Sequence, residues 1–145
     1  MLKSHYKVLP TYHLIIEHHT GVLDIESYKK FKALLLNDAS YSTNYNYIIN
    51  FKNVEFKIKP EEIKEYVSSL KQNPKIFGNK NLAIITKTPD QTVPVTIYKM
   101  KQQGINQLVE VFSTYEAALQ WLNSSLTSKK LDSLFLELKK QPSII

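Results

Sequence analysis

The chain has 145 residues, is 43% hydrophobic and 22% charged, and contains no cysteine. That length supports one domain with a proper core; the missing cysteine excludes a disulfide framework, a thiolate nucleophile and a thiolate metal site. The net charge of +6 rests on 19 basic residues, all lysine and clustered in pairs at most, so the planar fork that arginine brings to phosphate and guanine is absent and nucleic-acid binding is not expected.

The first elements are extended. "HYKVLP" and "YHLIIEHHTG" predict two strands joined by a turn at Pro10-Thr11, with Gly21 closing the second strand. Period-two alternation puts Leu14, Ile16 and His18 on one face, and His13, Ile15, Glu17 and His19 on the other. A helix capped by Asp24 follows, with Ile25, Tyr28, Phe31, Leu34 and Leu35 on its apolar stripe. "NDASYSTNYN" is a polar loop, and "YIINF" is a short apolar run of the kind found in strands covered on both faces.

The second helix starts at Pro60, where the missing N–H costs nothing, and Glu61 and Glu62 suit the positive end of its dipole. Ile63, Tyr66, Val67 and Leu70 form its buried face. "NLAIIT" is another buried strand. A third helix begins at Thr88-Pro89 and ends before Gly104, with Pro94 expected in its first turn and Val93, Ile97 and Met100 on its stripe. "LVEVF" is the last strand. "STYEAALQWL" then opens with Ser113 and Glu116 at capping-box spacing, and Tyr115, Ala118, Leu119 and Leu122 face inward. After the polar linker "NSSLTS", "KKLDSLFLELKK" predicts one more amphipathic helix, capped by Ser128, with Leu131, Leu134, Phe135 and Leu138 on its stripe.

The order β-β-α-β-α-β-α-β-α demands parallel strand pairs with right-handed crossovers, and the opening hairpin makes the sheet mixed. Helices are expected mainly on one face. The expected fold is therefore α/β, with a mixed, mostly parallel sheet of about five strands, crossover helices and an extra C-terminal helix.

This pattern resembles the STAS domain, the fold of anti-sigma factor antagonists and sulfate-transporter tails. The ending "VFSTYEAALQWL" and the segment "YIINFKNVEFKIKPEEI" are similar to the SpoIIAA-like group of small bacterial proteins, also described as STAS/SEC14-like. The resemblance spans residues 4–123 and implies a STAS-like domain over 1–123, followed by a linker and helix over 124–145. In partner-switching members a serine at the start of the second helix is phosphorylated. Lys57, Ile58, Lys59 and Pro60 occupy that corner here, and no serine or threonine lies between Phe51 and Val67.

Catalytic chemistry finds no motif. No serine sits in Gly-x-Ser-x-Gly, Glu61 and Glu62 point apart on their helix, and three glycines do not make a phosphate-cradling loop. His18 and His19 point to opposite faces, and His13 lies about 20 Å from His19 along a strand, so no metal site is expected. No cofactor is expected either. The function implied is a non-enzymatic regulatory or interaction module of STAS-like type. It would bind a protein partner through Lys57, Lys59, Pro60 and Glu61 and form a homodimer through the C-terminal stripe or an exposed sheet edge. The same stripe would also be satisfied by folding back on its own domain, or by lying against a membrane or another partner. The alternative function is an apolar small-molecule or lipid carrier of SEC14-like type, which a closed apolar cavity beneath the third helix would favour, as a flat patch around Lys57–Glu61 would favour the partner reading. The N-terminus lacks a signal-peptide pattern and no run approaches the roughly 18 apolar residues of a membrane span, so a cytoplasmic location without integral membrane association is expected.

Overall fold

A computed structural model covers residues 1–145. Strands β1 (Lys3–Leu9) and β2 (Leu14–Leu23) form the antiparallel hairpin, and Pro10 opens a short 3-10 turn between them. Contrary to expectation, Gly21 does not close β2. The strand runs two residues further, and the left-handed backbone of Gly21 (φ +95°) lets the Met1 carbonyl approach to where a Cβ would stand only 2.3 Å away.

Helix α1 (Ile25–Leu36) begins at Asp24, whose carboxylate accepts from the Ser27 N–H at 2.8 Å. Leu34 is turned outward, and Lys32 takes the buried place on the stripe instead. Strand β3 (Asn46–Phe56) extends well beyond its apolar run. Helix α2 (Pro60–Lys71) buries Ile63, Tyr66, Val67 and Leu70, as the spacing predicts, and its Glu62 carboxylate accepts from the Lys59 N–H at 2.8 Å.

Strand β4 (Lys80–Ile85) leads to α3 (Pro89–Lys101), where the Thr88 hydroxyl and the Gln91 amide oxygen each accept from the other's backbone N–H. Pro94 lies in the second turn rather than the first, and the buried side chains are Gln91 and Val95. Val93 and Met100 are exposed. The sequence carries two helical registers, and α2, β3 and β5 take the one containing Val95. Strand β5 (Gln107–Phe112) and helices α4 (Tyr115–Trp121) and α5 (Ser128–Lys139) complete the chain. Their caps are Thr114 and Thr127, one residue from the serines expected, and these hydroxyls accept from the N–H groups of Ala117 and Lys130.

The sheet order is β1-β2-β3-β4-β5, with only β1–β2 antiparallel. Because the order never reverses, crossovers of one hand place α1, α2 and α3 on the same face. That arrangement leaves the opposite face, with Leu14, Ile16, Ile48, Ala83 and Ile85, in need of cover, and α4 and α5 supply it. Helices therefore cover both faces, a correction to the one-sided expectation.

The docking of α5 decides the fate of its stripe. Leu131, Leu134, Phe135 and Leu138 are all buried against their own chain, with α5 lying over β1 and β2. They do not stand on the surface as a dimer contact would require, because burying them in cis also covers the second sheet face. Beyond α5, the Ile144 N–H donates to the Ser4 carbonyl and the Ser4 N–H donates to the Ser143 hydroxyl. These bonds satisfy part of the outer edge of β1. At the other end, β5 is the open edge, with Leu108 exposed.

Candidate functional site

Between the sheet and helices α1, α2 and α3 lies a pocket of about 80 Å³. Its walls are mainly aliphatic and aromatic: Ile49, Leu82 and Ile84 from the sheet, Ile63 and Tyr66 from α2, and Val95 from α3 are among them. Pro94 and Tyr98 bring α3 over it, and Ile58, from the corner after β3, closes one side. A concave, mostly apolar site with few polar groups is the usual form of a small-molecule site.

The polar groups in the wall are unusual for their burial. Lys32 and Lys80 both line the pocket and are almost wholly buried. Lys32 is ion-paired with Glu17 at 3.0 Å and its ammonium stands 4.2 Å from the centroid of the Tyr47 ring. Lys80 has no carboxylate partner. Its ammonium donates to the backbone carbonyls of Thr43 and Ile76. Burial, reinforced by the positive charge of Lys32, pushes the Lys80 ammonium down to about 8. Tyr47 also lines the pocket, and its buried hydroxyl has no partner at hydrogen-bond geometry; the nearby Tyr41 hydroxyl donates instead to the Lys75 carbonyl.

Glu17 is the centre of a buried network. Burial alone would raise its carboxyl, but Lys32 and His19 outweigh that and hold it down at about 2. Its oxygens accept from Tyr28 at 2.9 Å and Lys32 at 3.0 Å, and one is 2.9 Å from His19 Nε2. His19 Nδ1 is in turn 2.7 Å from the Ser4 hydroxyl. Serine, imidazole and carboxylate thus stand in a row, as in a nucleophilic triad. Ser4 is completely buried and its backbone is bonded to Ser143 and Ile144, so no substrate carbonyl reaches Oγ. The row satisfies buried polar groups in the core.

On the opposite face His5 and His18 stand across the β1–β2 ladder with ring centroids 6.2 Å apart, and the Nδ1 of each lacks a partner. Burial, with His5 and His19 nearby, lowers His18 to about 4. No third histidine or carboxylate joins them in a group of metal-ligating geometry.

The structure places Lys57, Lys59, Pro60 and Glu61 together on the surface at the β3–α2 corner, all exposed. Ile58 alone turns inward to the pocket. The corner and the pocket therefore share a wall. Sequence reasoning missed Glu17, Lys32 and Lys80 as site residues, although a signal was present. Lys32 falls between Tyr28 and Leu35 on the helical stripe, and Lys80 is in step with Leu82 and Ile84 on β4.

No protein-family model matches this chain, and no curated protein matches it in sequence. Its fold is similar to the crystal structure of an uncharacterised protein of the DUF3478 family, with a SpoIIAA-like fold, from Shewanella loihica PV-4. The TM-score is 0.54 at 17% identity, covering 83% of this chain and 93% of that one. The chain thus has a SpoIIAA-like, STAS-like fold, with a five-stranded mixed sheet and five α-helices. None of those helices is long and apolar enough to cross a membrane.

Proposed function

We propose that this STAS-like chain is a non-enzymatic binding module that holds a small apolar molecule between its sheet and helices α2 and α3. The observation that carries this reading is the pocket itself: an apolar site beneath α3, with 15 hydrophobic residues among its 19. The sealing of the Ser4–His19–Glu17 row supports the non-enzymatic part. At about 80 Å³ the pocket is well below the roughly 300–1,000 Å³ of drug-sized sites, which favours a compact ligand over a full lipid chain.

Toluene is a suitable probe. Titration followed by amide NMR is expected to move resonances of β4, α2 and α3 saturably, and Val95→Phe, which fills the pocket, is expected to abolish the shifts. Absence of saturable shifts in the unmodified chain would overturn the reading.

A second reading keeps a protein partner at the corner formed by Lys57, Lys59, Pro60 and Glu61. It is favoured by Ile58, which joins that exposed corner to the pocket wall, so that occupancy within could be felt outside. Lysate capture should then yield a protein lost on Lys57→Glu/Lys59→Glu; capture of the same proteins by both forms would remove this reading. Self-association would fall to the open edge of β5, since the α5 stripe is buried within the chain.

A further inference from the structure

We infer that the pocket takes a small carboxylic acid, with the carboxylate seated between the Lys80 ammonium and the Tyr47 hydroxyl and the apolar body under α2 and α3. This rests on the pocket being a ligand site and adds the chemical class of the ligand.

The first reason is charge. Two buried ammonium groups, Lys32 and Lys80, share this part of the core with one carboxylate, Glu17. Glu17 is committed to Lys32, Tyr28 and His19. Lys80 meets only neutral carbonyls, so the region carries one positive charge that nothing in the chain balances. Buried charges are ordinarily paired. An anion is the missing partner, whereas a neutral guest leaves the charge as it stands and a cation is repelled.

The second reason is donor count. An ammonium has three protons, and the carbonyls of Thr43 and Ile76 take two. Tyr47 is 1% exposed, and its hydroxyl lies near that of Tyr41 but has no partner at hydrogen-bond geometry. One ammonium proton and one phenol proton match the two oxygens of a carboxylate. A phosphate or sulfate would bring more oxygens than the site has donors.

The third reason is placement. In the parallel register Tyr47 is opposite Leu82, and Lys80 is two residues before Leu82 on the same face of the sheet. Both side chains therefore rise from neighbouring strands on the pocket side, with the Lys32 ammonium standing over the Tyr47 ring. The volume of about 80 Å³ suits a body the size of a single ring or a short branched chain.

Calorimetric titration of benzoate, toluene and benzylamine at neutral pH separates the inference from the reading beneath it. Benzoate is expected to bind the unmodified chain at least roughly tenfold more tightly than toluene, as charge-assisted hydrogen bonds imply, and benzylamine not to bind. Lys80→Met is expected to reduce the preference for benzoate over toluene by about tenfold or more; Tyr47→Phe, which removes only the hydroxyl, should reduce it less. Toluene binding as tightly as benzoate, or a preference for benzoate indifferent to Lys80→Met, would overturn the carboxylate while leaving the apolar site in place. Failure of both benzoate and toluene to bind would overturn the pocket reading and the carboxylate together. The benzoate–toluene comparison uses the unmodified chain, so the inference stays testable whatever the variants do.

Discussion

Replacing Phe135 by alanine tests whether α5 belongs to this chain's own core. Phe135 is 3% exposed, and its ring stands 5.4 Å from Tyr115 and 5.8 Å from His18, centroid to centroid. A buried Phe→Ala change costs about 3–5 kcal/mol through lost transfer energy and the residual cavity. Loss of two ring–ring contacts places this site in the upper part of that range. Against a total stability of roughly 5–15 kcal/mol for a domain, the variant should unfold at much lower urea concentration with an unchanged slope. Leu136, the next residue, is 52% exposed and serves as the control; Leu136→Ala should stay within about 0.5 kcal/mol. Urea unfolding followed by circular dichroism, with light scattering of the native state, measures both effects. If Phe135→Ala kept full stability and only turned a dimer into a monomer, the stripe would lie between chains, and the cis docking described above would be wrong.

Three further outcomes follow from the buried charges. The Lys80 ammonium titrates near 8 in the fold, against an ordinary lysine value of about 10.4. Its penalty is therefore fully present below about 8 and fades as the pH rises toward 10.4, so Lys80→Met should gain about 1–3 kcal/mol at pH 7 and little at pH 10.5 in urea titrations. Equal or lower stability at pH 7 would contradict the unbalanced charge. His18 is held near 4, against an ordinary value of about 6.5; its neutral form stabilises the fold above 6.5, and up to about 3 kcal/mol should be lost as pH falls from 6.5 to 4. His18→Gln should flatten that slope, and an unaltered slope would contradict this account of His18. Glu17→Gln strips Lys32 of its partner inside the core and should cost about 3–5 kcal/mol by thermal or urea unfolding; a change below 1 kcal/mol would show the pair to be solvated.

Where one local rule dominated, the sequence could be read directly. In α2, Pro60, the acidic first turn and one unbroken stripe agree, and the helix is found as expected with its four buried residues. In α3 the stripe through Val93 and Met100 competes with one through Val95, and only the positions of α2 and β5 select between them. Caps moved by one residue where two hydroxyl residues are adjacent, as at Ser113-Thr114 and Thr127-Ser128. The stripe of α5 was visible, but not the surface it covers. That surface is assembled from alternate residues of β2, β3 and β4, such as Leu14, Ile48 and Ala83. Strands apolar on both faces need cover on both, which was the available clue. The pocket wall was hidden for a different reason. Tyr47, Lys32 and Lys80 lie on three elements, and their convergence depends on strand register, which local periodicity does not encode.

Diffraction from a crystal of the chain pressurised with xenon tests the central claim most directly, because the gas enters a preformed apolar pocket without needing a specific headgroup. A xenon site bounded by Ile84, Tyr66 and Val95 is the expected result. Side chains collapsed across that space, with no xenon bound there, would contradict it.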